Sequence, residues 1–302
     1  TDMRVQKRDG TFELVHPEKI INRIESHSLG LEDVDPMRVS IKTIGGLHDG
    51  VTTKELDNLA VNTAALFMLE EPQYSKLAAR LLNTTIREEC EDESINSFAD
   101  SITVGYKQGL ISEKTFLFVN ENADTLNSAI REEKSDSFEY FGLRTVYERY
   151  VLKHPKTRNS IETPQYFFMR VACGLAADIG SALAYYEKIS SFDFMPSTPT
   201  LFNSGTSHAQ MSSCFLLDSP EDSLESIYKR YWDIAALSKY SGGIGVAYHR
   251  VRSQGSLIKG TNGFSNGIIP WLKTLDSSVA AVNQGGKRKG ACCAYLETWH
   301  AD

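Results

Sequence analysis

The first stretch of the chain alternates apolar and polar positions over a short span. Val5-Gln6-Lys7-Arg8-Asp9-Gly10-Thr11-Phe12-Glu13-Leu14-Val15 predicts two short strands joined by an Asp9-Gly10 turn. Gly accepts a positive φ there without a Cβ penalty. The period then changes. His16-Pro17-Glu18-Lys19 opens a helix whose Ile20, Ile21 and Ile24 form one apolar face, with Pro suited to its first turn. A second helix is predicted over 36–48. A third begins near Thr53, carries Leu56, Leu59, Ala60, Thr63 and Phe67, and is broken by Pro72. A fourth, from about 73, carries Leu77, Leu81 and Ile86 and runs into Glu88-Glu89-Cys90-Glu91-Asp92-Glu93. Acidic charge at a helix C-terminus opposes the macrodipole, which places a boundary there and a first domain over 1–93.

Residues 94–194 read as a mainly helical, aromatic-rich scaffold. Tyr140-Phe141-Gly142-Leu143 and the Tyr147–Leu152 stretch look like core and docking surface. One helix starts at Thr163-Pro164 and carries Phe167, Val171 and Leu175; another runs over Ala182 to Ile189. From 195 to 302 the pattern changes again, to short apolar runs between Gly, Ser and Thr. Ser212 to Leu217 reads as a buried strand, Asp222 to Tyr240 as a helix, Ile244 to Tyr248 as a strand, Gly267 to Val282 as a helix and Gly290 to Leu296 as a strand. Strand–helix–strand alternation predicts an α/β architecture. No closing element precedes Asp302, so this part is expected to be an incomplete fold.

Composition narrows the class. Hydrophobic residues at 41% and charged residues at 24% fit a globular chain. Thirty-two basic against 39 acidic residues give a net charge of −7, which removes a whole-chain footprint for nucleic acid. No apolar run reaches the roughly 18–20 residues of a membrane helix, and the opening TDMRVQKRDG is too polar for a secretory signal. The five cysteines, at 90, 173, 214, 292 and 293, include no CxxC pair. Neither a zinc site nor a disulfide framework is suggested, and a reduced, cytoplasmic setting follows. One special cysteine could be chemical there, with the other four as small buried hydrophobes.

Three stretches carry candidate chemistry, each with a plain structural alternative. Lys7, Arg8 and Lys19 gather cations near a tight turn and a helix start, which fits a triphosphate cradle and equally a charged hairpin. Gly285-Gly286-Lys287-Arg288-Lys289-Gly290 lacks the ending of a P-loop; it is a glycine-hinged basic loop that could close over phosphate or lie in solvent. Ser212-Ser213-Cys214 offers one thiol after two hydroxyls, either a redox thiol or a buried structural one.

Together these residues resemble the large, catalytic subunit of ribonucleotide reductase, over nearly the whole chain and in family order. Val5 to Gly10 followed by Pro17-Glu18-Lys19-Ile20 is similar to the N-terminal ATP-cone. Pro196-Ser197-Thr198-Pro199-Thr200-Leu201, then Ser212-Ser213-Cys214, resembles the first strands of the ten-stranded α/β barrel. Asp222-Ser223-Leu224, Gly242-Gly243-Ile244-Gly245, Arg252-Ser253-Gln254-Gly255-Ser256, Gln284 to Ala291 and Tyr295-Leu296-Glu297-Thr298-Trp299-His300 continue the series. The resemblance implies an α-rich α/β chain: a cone over 1–93, a helical N-terminal domain over 94–194, and over 195–302 the first strands and helices of a barrel that this chain does not complete.

It also implies roles. Cys214 would be half of the dithiol that reduces the ribose 2′ position. Thr198, Ser213 and Gly243 would line the substrate pocket. Asp222, Arg252 and Lys259 would form the specificity effector site, with the loop bearing Gln284 and Arg288 carrying effector identity to the substrate base. Lys7, Arg8 and Lys19 would serve the cone. ATP and deoxynucleoside triphosphates would be the effectors, with no metal on this chain. The helices at 222–240 and 267–282 would form a homodimer contact. A small radical-generating subunit would act on a diphosphate substrate, or adenosylcobalamin on a triphosphate; the diphosphate enzyme is preferred. Thioredoxin or glutaredoxin would restore the dithiol.

Two departures stand out. The family often places a His in the third cone helix and a Lys late in the fourth; here Asp57 and Glu88 stand there, and two added carboxylates predict weakened phosphate binding. The radical cysteine, its neighbouring Asn and Glu and the second reducing cysteine of the family follow the point where this chain ends, so a complementing C-terminal half is expected as a partner. The contrasting reading is a regulatory nucleotide-binding module without catalysis.

Overall fold

A computed structural model describes residues 2–282 and 288–302. They divide into two compact units, Thr1–Met195 with Gly205–Ser207, and Pro196–Ser204 with His208–Asp302.

The first unit begins with β1 (Arg4–Gln6), β2 (Phe12–Leu14), α1 (Pro17–His27), α2 (Pro36–Gly45), β3 (Val51–Thr52), α3 (Thr53–Leu66) and α4 (Tyr74–Asp92). The strands lie in the order β2-β1-β3. β2 is antiparallel to β1 with Val5 opposite Glu13, and β3 is parallel to it with Val5 opposite Val51. Gly10 has φ +86°, as the hairpin turn requires. The starts of α1, α2 and α3 have local causes. Extended His16 precedes Pro17, Asp35 accepts from Met37 and Arg38 N–H groups, and Thr52 and Glu55 close a capping box. Ile24, Val39, Val61, Leu77, Leu82 and Ile86 are buried between these elements.

α4 does not stop at the start of the acidic run; it continues to Asp92. Part of the charge is met from a distance: Arg8 lies 2.9 Å from the Glu88 carboxylate and 3.0 Å from that of Asp92, and Lys54 lies 3.3 Å from that of Glu89. α5 (Phe98–Lys107), α6 (Glu113–Glu121), α7 (Ala123–Ala129), α8 (Tyr140–Thr145), α9 (Pro164–Leu175) and α10 (Ile179–Ser190) complete the unit. At its centre Arg170 and Glu162 form a fully buried ion pair at 2.5 Å, and Glu162 also accepts from the Leu152 N–H at 3.0 Å.

The second unit contains α11 (Thr198–Asn203), β4 (Cys214–Leu217), α12 (Leu224–Lys239), β5 (Gly243–Ala247), the small antiparallel pair β6 (Leu257–Ile258) and β7 (Gly263–Phe264), α13 (Ile269–Val282) and β8 (Cys292–Tyr295). The sheet β4-β5-β8 is wholly parallel, with Cys214 beside Gly243 and Gly245 beside Cys293. Period-2 alternation sends Ile244 and Val246 into a core with Ile227, Tyr231, Ile234, Leu275 and Val279 of the two long helices, against which Phe215, Leu217 and Cys292 also pack. The sheet does not close into a barrel among the described residues.

Two sequence expectations change here. Residues 198–203 form a helix and not a strand, because Ser197 is extended ahead of Thr198 and Pro199 occupies the first turn. β4 is not a buried strand: it alternates between exposed and half-buried positions, and Leu216 is 84% exposed. Among the described residues no helix is long and apolar enough to cross a membrane.

Candidate functional site

The three cone cations meet carboxylates of their own chain. Lys7 and Lys19 both reach Glu13, at 2.9 and 2.5 Å, and those two hydrogen bonds hold the Glu13 carboxyl down at about 2. Arg8 divides its guanidinium between Glu88 at 2.9 Å and Asp92 at 3.0 Å. Arg23, one helical turn beyond Lys19 on α1, donates to Glu88 at 2.8 and 3.3 Å and lies 3.4 Å from Asp57.

Asp57 is the deepest member of this network at 5% exposure, and its Oδ2 receives no hydrogen bond. Burial pushes its carboxyl up to about 6, with Glu88 adding to the rise against the pull of Arg23 and Arg8. A cavity of about 310 Å³ adjoins the network. Lys7, Lys19, Arg23 and Asp57 line it on the polar side, and Ile20, Ile24, Leu56 and Ala60 on the apolar side. Arg8 lines a neighbouring cavity of about 510 Å³, which also contacts Asp57. Arg23 and Asp92 were not singled out from sequence. The one available signal was the i, i+4 spacing of Lys19 and Arg23 along α1.

In the second unit, the face of the β4-β5-β8 sheet turned away from the helices carries Cys214 and Cys293. Cys214 is exposed at the start of β4, beside Gly243. A Cβ on Gly243 would sit 3.3 Å from the Arg288 guanidinium and 3.8 Å from Cys214 Sγ, so the missing side chain leaves room between them. Arg288 donates to the carbonyls of Ser213 and Ser241, each at 2.9 Å. The Gly243 N–H also donates to the Ser213 carbonyl at 2.8 Å. Cys214, Ser213, Gly243 and Arg288 are therefore gathered in one place.

A cavity of about 340 Å³ lies on this sheet, lined by Cys214, Leu216, Gly243, Gly245, Cys293 and Tyr295 among others. Thr198 begins α11, which Thr200 and Asn203 tie to the Met211 and Gln210 carbonyls at 3.3 and 2.7 Å, in the segment leading to Cys214. Gln284 lies outside the described residues.

The cysteines divide more finely than expected. Cys90 and Cys173 are buried, and burial pushes the Cys173 thiol up to about 12. Cys292 is half-buried and raised to about 11 by burial and by the neighbouring Cys293. Cys293 is exposed, so it is not a buried hydrophobe. Its place on the open face follows from strand parity in β8.

The third group lies at the start of α12. Arg252 Nε donates to Asp222 Oδ2 at 2.7 Å, and a second nitrogen donates to the Leu257 carbonyl at 3.0 Å. Lys259 stands exposed between β6 and β7. One carboxylate and two cations are thus distributed around a β-hairpin, with Arg252 already charge-paired. Among the described residues no group of three or more His, Cys, Asp and Glu is placed to hold a metal ion.

Comparison with known proteins gives three matches in chain order. The ATP cone domain matches residues 3–89, the ribonucleotide reductase all-alpha domain residues 136–209, and the ribonucleotide reductase barrel domain residues 212–302. A ribonucleoside-diphosphate reductase large subunit of Caenorhabditis elegans is 44% identical over 99% of this chain and 39% of its own length. Those of Arabidopsis thaliana and Vaccinia virus are 41% and 42% identical over 99% of this chain, and 38% and 40% of their own lengths. The chain thus spans about two fifths of these relatives. With the cone, all-alpha and barrel regions following one another as they do here, the chain belongs to the ribonucleotide reductase large-subunit family.

Proposed function

We propose that this chain supplies the nucleotide-control elements and the first barrel elements of a ribonucleoside-diphosphate reductase. The reaction removes the ribose 2′-hydroxyl as water. A dithiol supplies two electrons and two protons and becomes a disulfide, which thioredoxin or glutaredoxin then reduces. Cys214 is one thiol of that pair. The second thiol and the radical cysteine belong to the part of the family sequence that follows the region matched here. A small radical-generating subunit starts the chemistry.

The observation that carries this reading is the exposed Cys214 on the open sheet face, beside a glycine, with Arg288 at its end. A reducing thiol must be reachable by both the sugar and the reductant, and this position meets that need. Gly243 leaves space for the ribose. Ser213 and Thr198 supply hydroxyls nearby in sequence and fold. Asp222, Arg252 and Lys259 form the specificity effector site, where a deoxynucleoside triphosphate would exchange places with the Arg252–Asp222 pair. Lys7, Arg8 and Lys19 form the polar part of the cone's nucleotide site. The barrel match through 302, which includes Cys214, favours this enzyme reading over a purely regulatory module.

The test is reconstitution with the rest of the subunit and the radical subunit, followed by an assay of dithiol-dependent reduction of a ribonucleoside diphosphate. Cys214→Ser is expected to bring multiple turnover to background while nucleotide binding is kept. Undiminished dithiol-driven turnover in that variant would remove Cys214 from the mechanism.

A further inference from the structure

The cone cations are fully engaged within the chain. Lys7, Lys19, Arg8 and Arg23 stand against Glu13, Asp57, Glu88 and Asp92, so four positive groups face four carboxylates. Glu88 is the member placed to imitate a phosphate. Its Oε1 lies 2.8 Å from Arg23, and its Oε2 lies 2.9 Å from Arg8 and 3.3 Å from the second Arg23 nitrogen. One carboxylate thereby bridges two guanidinium forks, the same planar donors that recognise phosphate oxygens. Glu88 also differs from Asp57 in exposure: Asp57 is 5% exposed, whereas Glu88, in the last turns of α4, is 25% exposed and already meets solvent.

We propose that Glu88 is a tethered competitor for phosphate, so that the cone accepts a nucleoside triphosphate only when Glu88 releases Arg8 and Arg23. This rests on the reading of the cone as a nucleotide site. A triphosphate brings several negative charges to a place whose cations are already neutralised. With Glu88 in place the incoming anion meets like charge from Glu88 and Asp92, and with Glu88 turned out it gains two unpaired guanidinium groups. The competitor raises the concentration of effector at which the cone fills without removing any contact the nucleotide would make.

The experiment is equilibrium dialysis of labelled dATP with magnesium against the full 302-residue chain, in an Arg252→Ala background that weakens the other effector site. Glu88→Gln is expected to bind about tenfold or more tightly than its parent, as removal of one charge-assisted competitor implies. Glu88→Ala should show the same gain, and adding Arg8→Ala should abolish it. Parent, Glu88→Gln and Glu88→Ala binding within about twofold of one another, but all dependent on Arg8, would overturn the competition and leave the cone reading standing. Absence of cone binding in every variant, with unchanged circular dichroism, would overturn the cone reading and the competition with it.

Discussion

Asp57 holds its charge at a cost, because its buried Oδ2 finds no donor and Glu88 lies beside it. Its carboxyl is raised from 3.8 to about 6. Between those values the folded chain keeps a proton that the unfolded chain has lost. Stability therefore falls as pH climbs through this window, and above it the ionised group is a net burden of at most about 3 kcal/mol. Asp57→Asn keeps the shape and removes the charge. Its melting temperature is expected to exceed the parent's at pH 7–8, by several degrees if the full burden is relieved, and to converge on it near pH 4. A thermal-melt series across pH checks this; a parallel offset at all pH values would show that Asp57 does not titrate as described. The identities of Asp57 and Glu88 were visible in the sequence as departures. Their partnership with Arg23 was not, since it depends on how α1, α3 and α4 meet.

At the scale of elements, the legible parts were those with local causes. The Asp9-Gly10 hairpin, the helix opening at Pro17 and the strand–helix alternation after Leu217 all follow from turn chemistry and periodicity. The two-residue β3 was not legible, because its pairing with β1 spans more than forty residues of chain. Nor was the helix at 198–203 or the open face of β4, where an apolar Leu216 points away from the core by strand parity. The join between α12 and β5 shows how tightly this unit is drawn. A Cβ on Gly242 would lie 2.7 Å from the Phe215 ring and 3.0 Å from the Leu237 carbonyl. Neither the ring, packed against the core, nor the backbone oxygen can retreat freely. Gly242→Ala is expected to destabilise this unit by about 1–3 kcal/mol, the usual cost of overpacking. Denaturant unfolding followed by tryptophan fluorescence would report it, and an unchanged midpoint would show that the strand can shift to make room.

At the scale of the whole molecule, α12 presents apolar groups on two faces. Ile227, Tyr231 and Ile234 face the core, while Leu224, Tyr228 and Trp232, four residues apart, form a second stripe at 66%, 53% and 72% exposure. Ile269 at the start of α13 adds a further exposed apolar group at 56%. A helix apolar on both sides is normally covered on both, and exposed apolar stripes mark interaction surfaces. The stripe is also stiffened: Tyr228 packs edge-on against Tyr231 and Trp271, at 5.9 Å between ring centroids in each case. A second copy of this chain is the partner that the family resemblance implies, across α12 and α13 and next to the Asp222–Arg252 pair. Two copies brought together there would place their effector sites close to the shared seam, so nucleotide binding and dimerisation should reinforce one another. Trp232→Glu sets a charge in the middle of that seam without touching the inner core. Sedimentation equilibrium with a deoxynucleoside triphosphate present should show a dimer for the parent chain, and an association at least about tenfold weaker for the variant. If both sediment identically, a second copy does not cover the stripe, and the coupling of effector binding to dimerisation falls with it.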